Sequence, residues 1–328
     1  MIKYKITTLL LALSFLGIGN CGPSEKTLDL IKKGKSIFGT LPQKMPGSEN
    51  DTPELIALGK KLYMDTALSE NNTRSCNTCH NILDKNGGVD NKKTSLGVSD
   101  QNGDRNSPTV LNAGFHAVQF WDGRARDLNA LAKSHILNKA EMAMPSEKAV
   151  EDKISAIEGY RELFEKAFPD SPKVSIDNIA IAISAFERTL RTTDKFDEFI
   201  AGNYKAFNEK EQKGLETFIS NGCITCHNGA LFGGKMFMKM GVVNPYENME
   251  DTGKFKVTGQ ESDKYIFKVP SLRNVALTAP YYHDGGAPTL EEAVTQMAWL
   301  QLGKKIEAED VSNIVAFLNT LTDKERVK

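Results

Sequence analysis

The chain has 328 residues, enough to bury two modest hydrophobic cores. A formal net charge of -1 leaves no basic excess to neutralise phosphates, which argues against a nucleic-acid partner. Of five cysteines, four lie in two short repeats, so only Cys21 stands outside them and no disulfide framework is on offer.

Lys3 and Lys5 precede an apolar run from Ile6 to Ile18 that is too short to span a bilayer and is shaped like a secretory h-region. Residues 1–20 therefore read as an export signal, which places the mature protein in the periplasm. Ile18-Gly19-Asn20-Cys21 sits where a lipoprotein signal puts its lipidated cysteine. That gives Cys21 as a membrane tether, with simple cleavage near Asn20 as the alternative. Residues 21–51 are polar with scattered Gly and Pro, a tether and lead-in.

A helix is predicted from Thr52, with Pro53 at its first position and Leu55, Ile56, Leu62 and Tyr63 on one face. It leads to Cys76-Asn77-Thr78-Cys79-His80. The polar stretch up to Asn106, with Gly87, Gly88, Gly97 and Gly103, reads as loop. Helices follow over Asp127–Leu137 and Ser175–Arg191, the latter from the spacing of Ile176, Ile179, Ile183, Phe186 and Leu190.

The arrangement then repeats. Asn208 with Glu211 forms a capping signature ahead of Leu215, Phe218 and Ile219, and that helix leads to Cys223-Ile224-Thr225-Cys226-His227. Two domains result, 52–205 and 206–328. Residues 228–268 are rich in Gly and Met with little periodicity. Thr289 and Glu292 form a second capping signature, with Leu290, Val294 and Met297 on one helical face, and Val311, Ile314, Val315, Leu318 and Leu321 mark a last helix. No segment reads as a sheet strand, so the fold class is all-α.

Each C-x-x-C-H run is an attachment signature for c-type haem. Two thiols three residues apart reach the two vinyl groups along one porphyrin edge, and the following His80 or His227 offers an imidazole nitrogen to the iron. Redox dithiols do not require the histidine, and a four-cysteine zinc site leaves both histidines unexplained. The motifs thus predict two c-type haems, each iron held by His80 or His227, with Cys76, Cys79, Cys223 and Cys226 as the attachment residues.

Further segments carry a family resemblance. Arg105-Asn106-Ser107-Pro108-Thr109-Val110-Leu111-Asn112, Gln119-Phe120-Trp121-Asp122-Gly123-Arg124, Ala140-Glu141-Met142 and Val269-Pro270-Ser271-Leu272-Arg273-Asn274-Val275, continuing to Thr278-Ala279-Pro280-Tyr281, resemble the bacterial dihaem cytochrome c peroxidases. The resemblance runs from about residue 50 to the C-terminus. It implies that hydrogen peroxide reacts at the N-terminal haem, and that the C-terminal haem takes electrons from a small cytochrome c or cupredoxin. Splitting peroxide takes two electrons, and two irons supply them one each.

The resemblance also implies roles for single residues. Met297 matches the axial methionine opposite His227, and thioether ligation raises the potential as an electron store requires. Met236, Met238 and Met240 compete for that place. Glu141 matches a distal acid–base carboxylate, and Trp121 a tryptophan between the haems. Asn106, Thr278 and Pro280 match positions that bind calcium through oxygen donors. A homodimer is implied as well. Enzymes that oxidise a protein partner through high-valent iron are similar too, but carry tyrosine where this chain has Met297. A dihaem electron carrier or redox sensor without turnover is the other alternative.

At three positions the sequence departs from the pattern. Val98 stands where many members carry a histidine that blocks the first haem, so that haem is expected to be open even when oxidised. Leu131 replaces a distal glutamine, and His135, one helical turn on, replaces a proline. His135 is a candidate distal acid–base group or ligand, or a histidine at the pocket margin bonded to backbone or water. His116 is expected to pack near the first haem and His283 beside the second.

Overall fold

The computed structural model describes residues 22–83 and 85–327. The export signal and Cys21 lie outside them. Among the described residues no helix is long and apolar enough to cross a membrane.

The molecule is mainly helical, in two hydrophobic clusters. Its helices are α1 (Glu25–Ile37), α2 (Pro53–Met64), α3 (Cys76–Cys79), α4 (Leu128–Leu137), α5 (Glu147–Ser155), α6 (Tyr160–Ala167), α7 (Ile176–Glu187), α8 (Lys195–Ile200), α9 (Glu209–Asn221), α10 (Phe255–Thr258), α11 (Leu290–Leu302) and α12 (Ala308–Asn319). The starts follow from capping. The side chains of Thr52, Asp127, Ser175 and Thr289 each accept a hydrogen bond from a backbone N–H in the first turn. Asn208 and Glu211 form a complete reciprocal box.

In the first cluster α2 crosses α7, burying Leu58, Leu62 and Tyr63 against Ile179, Ile183 and Phe186. Gly59 allows the approach, because a Cβ there would lie 1.8 Å from the Ala182 carbonyl oxygen. In the second cluster α9 crosses α12 in the same way, and a Cβ on Gly214 would lie 2.0 Å from the Asn313 oxygen. Gly222 then ends α9 in the left-handed region (φ 92°), turning the chain directly into Cys223.

Three features depart from the sequence reading. The lead-in contains α1, whose Leu30 and Ile31 pack into the second cluster, and the Thr27 hydroxyl donates to Gln212 Oε1 at 3.0 Å. α1 thus packs on the C-terminal half of the chain. It leaves the first cluster after Leu190 and enters the second at Phe196, ahead of the boundary expected at 205/206. A small antiparallel ribbon also forms, β1 (Phe237–Lys239) with β2 (Ile266–Lys268), in the register Phe237 to Lys268. Strands of three residues are too short for alternation to reveal.

Candidate functional site

Each motif opens onto its own cavity. The first, of about 420 Å³, is lined by Cys76, Cys79 and His80 on one side and by Leu131, His135 and Glu141 on another. The second, of about 240 Å³, is lined by Cys223, Cys226 and His227 together with Met297.

The two histidines are prepared identically. His80 Nδ1 donates to the Pro108 carbonyl at 3.0 Å, and His227 Nδ1 to the Phe232 carbonyl at 3.0 Å. Fixing the proton on Nδ1 leaves Nε2 as the lone-pair nitrogen, the arrangement a metal-ligating imidazole needs. Burial pushes His80 down to about 4, with His135 adding to the effect, and burial also lowers His227. Both rings are therefore neutral at pH 7. None of the four motif cysteines is paired in a disulfide, and burial raises the Cys223 thiol to about 11. Unpaired thiols and neutral imidazoles facing two cavities fit covalently held haem and do not fit a disulfide.

Opposite His80, the turn after α4 presents Glu141. The Asn138 carbonyl accepts from both Glu141 N at 3.0 Å and Ala143 N at 2.9 Å, while the Glu141 carbonyl accepts from Val98 N at 2.9 Å. His135 Nδ1 is hydrogen-bonded to Glu141 Oε2. The Nδ1 partner is thus a carboxylate. Burial works against charge on both groups, but each stabilises the other's charged form, so Glu141 is held below and His135 above its usual range. The His80 and His135 ring centres are 5.9 Å apart.

Val98 is buried, at 7 % exposure, and does not line the cavity. Its loop is tied down by Arg74, whose Nε donates to the Leu96 and Gly97 carbonyls at 3.0 and 3.2 Å. A Cβ on Gly97 would lie 1.9 Å from the Ala140 oxygen, so this loop and the Glu141 turn are in backbone contact.

Trp121 lines both cavities, as do Asn106, His116 and Lys268. This partition is hydrogen-bonded from end to end. Asn106 N donates to the His283 carbonyl at 2.8 Å, Trp121 Nε1 to the Asn106 carbonyl at 2.9 Å, and Lys268 N to the Trp121 carbonyl at 2.7 Å. His283 lines only the second cavity, stacked on Phe267 with ring centres 4.1 Å apart.

Of the competing methionines, Met238 and Met240 line the second cavity with Met297, whereas Met236 does not. Asn106, Thr278 and Pro280 all reach that cavity's wall. The Asn106 amide nitrogen donates to the Lys92 and Lys93 carbonyls at 2.9 and 3.3 Å, and the Thr278 hydroxyl donates to the Val275 carbonyl at 3.1 Å. Among the described residues no cluster of three His, Cys, Asp or Glu could hold a metal ion, so a cation there would depend on amide and carbonyl oxygens.

Among the charged residues of the cavity walls that escaped the sequence reading are Glu187 and Lys268. Glu187 lines the first cavity, with burial pushing its carboxyl up to about 7. Its signal was available, since it sits four residues after Ile183 on the apolar face of α7. Lys268 is a charge inside the run Ile266-Phe267-Lys268-Val269.

Residues 53–205 match the family model described as di-haem cytochrome c peroxidase. The chain is 44% identical over 324 residues to a cytochrome c551 peroxidase of Nitrosomonas europaea, covering 98% of this chain and 92% of the relative. To the cytochrome c551 peroxidase of Pseudomonas aeruginosa it is 43% identical, with 96% and 93% covered. Among solved structures, a MauG-like protein associated with microbial copper homeostasis superposes with a TM-score of 0.77 at 26% identity, covering 88% of this chain and 95% of that one. Identity at this level, sustained through both halves of the sequence, shows that the chain belongs to the di-haem cytochrome c peroxidase family.

Proposed function

We propose that the protein reduces hydrogen peroxide to water in the periplasm, using electrons from a small cytochrome c or cupredoxin. The observation that carries this reading is the hydrogen-bonded Glu141–His135 pair facing the cavity of His80. When bound, the two haems supply the one-electron redox chemistry at His80 and at His227. Cys76, Cys79 and His80 would hold the first haem, and Cys223, Cys226, His227 and Met297 the second.

The chain's own residues move the protons. Peroxide entering the first cavity meets Glu141, held ionised by His135. The carboxylate takes the proton of the near oxygen and delivers it to the departing one, so two electrons and two further protons complete two waters. His135 keeps Oε2 in place. Trp121, in the wall common to both cavities, lies on the path for electrons between them. Val98 offers no ligand and does not line the cavity, which supports an open first site that needs no reductive activation.

A calcium ion at Asn106, Thr278 and Pro280, a lipid tether through Cys21 and a homodimer belong to the same reading. Metal analysis, detergent partition and light scattering test them in turn.

The deciding experiment is peroxide-dependent oxidation of a reduced small cytochrome by wild type and by Glu141→Gln, both carrying two haems. Loss of about 10²–10⁴-fold in turnover is expected, the usual contribution of a positioned acid–base group. Wild-type protein that binds both haems and shows no turnover would indicate an electron carrier.

A further inference from the structure

Lys268, the last residue of β2, is 6 % exposed and lines both cavities. Burying an ammonium costs several kcal/mol unless an opposite charge is near. The other cations lining these cavities all meet that requirement within 4 Å. Arg74 pairs with Asp100, Arg105 with Asp122 and Asp251, Arg124 with Asp122, Lys256 with Asp251, and Arg273 with Asp194 and Asp197. Among the described residues, no carboxylate stands within salt-bridge distance of Lys268.

Its side-chain partner is His116. Lys268 Nζ lies 2.8 Å from His116 Nδ1. Burial, and then the neighbouring ammonium, hold His116 far below its usual value, so the imidazole is neutral and accepts one of the three ammonium hydrogens. Burial lowers Lys268 to about 8, which leaves it charged at neutral pH. Two donors and a full positive charge remain, at the partition between two cavities. The backbone holds them there, because Lys268 N donates to the Trp121 carbonyl and its strand is paired with β1.

A missing anion is thus built into the wall, and both cavities are fitted for a cofactor that carries carboxylates. We infer that Lys268 is the anchor for a haem propionate carboxylate, with His116 fixing the direction of its ammonium group. The inference rests on haem occupying the cavities and is independent of peroxide turnover.

The first measurement is the mass of the holoprotein, which counts covalent haems and so tests occupancy by itself. Redox titration with optical detection then compares wild type with Lys268→Gln and Lys268→Arg. Removing a positive charge beside a propionate disfavours the reduced haem. Lys268→Gln is expected to shift that haem's reduction equilibrium roughly tenfold toward the oxidised form, about 59 mV for a one-electron couple. Lys268→Arg is expected to stay near wild type. A shift confined to the methionine-ligated haem assigns the propionate of the second cavity, a shift of the other haem assigns that of the first, and a shift of both assigns a bridging position.

Unchanged potentials in Lys268→Gln overturn the inference, as does an equal fall in Lys268→Arg. Should Lys268→Gln fail to fold, a crystal structure of the wild-type holoprotein decides: a propionate oxygen within about 3.2 Å of Nζ is expected, and none within reach refutes it.

Discussion

The Glu141 turn shows how little freedom the first site leaves a single residue. Its carboxylate is held by His135 and its carbonyl by Val98, and the neighbouring Ala140 carbonyl lies against Gly97. Gly97→Ala drives a methyl group into that carbonyl. It is expected to destabilise the protein by about 1–3 kcal/mol and to lower turnover with both haems in place, checked by thermal unfolding and steady-state assay. His135→Ala frees the carboxylate without removing it. A roughly 10- to 100-fold loss of turnover is expected, smaller than that of Glu141→Gln and partly restored by Gln at 135. The two attachment motifs could be read directly because covalent chemistry fixes their spacing. Glu141 and Met297 were visible only through family resemblance, since a lone Glu or Met carries no local pattern. Lys268 and Glu187 were missed because a charge inside an apolar run signals burial without naming its partner.

The helices follow the same logic. α2, α4, α7, α9, α11 and α12 were legible because a capping residue or an apolar stripe marks them. α8, with six residues, is too short to show a period, and α1, α5 and α6 lie in segments whose mean character is polar. Tertiary packing secures all four, with Phe196, Phe199, Tyr160 and Phe164 buried completely. The glycines at the two helix crossings give a paired prediction. Gly59→Ala and Gly214→Ala each force a Cβ into the backbone of the facing helix, at a cost of about 1–3 kcal/mol or more. Calorimetry is expected to show a lowered melting temperature for each, whereas Gly103→Ala, whose Cβ would meet nothing nearer than the Ser95 carbonyl oxygen at 3.5 Å, changes far less than either.

At the scale of the molecule, Arg105 ties the two halves of the sequence together. Its guanidinium holds Asp122 at 2.6 Å and Asp251 Oδ1 at 2.9 Å. Burial pushes the Asp251 carboxyl up, but hydrogen bonds from Arg105 and Gly253 outweigh it and hold the group well below the usual range. A depressed carboxyl stabilises the fold above its unfolded value near ~3.9 and loses that contribution as pH falls through its folded value. Asp251→Asn is therefore expected to unfold more readily than wild type at pH 7, with the gap closing below about pH 4; denaturant titration across that range checks the sign.

The partition made of Asn106, Trp121, His116 and Lys268 has one further implication, for engineering. A wall with two faces borders both redox centres, so the effect of a substitution at Trp121 or Lys268 has to be read at both centres before it is assigned to either. Independent adjustment has to be made from the outer walls, at Glu141 and His135 for one centre and at Met297 for the other, each of which borders a single cavity.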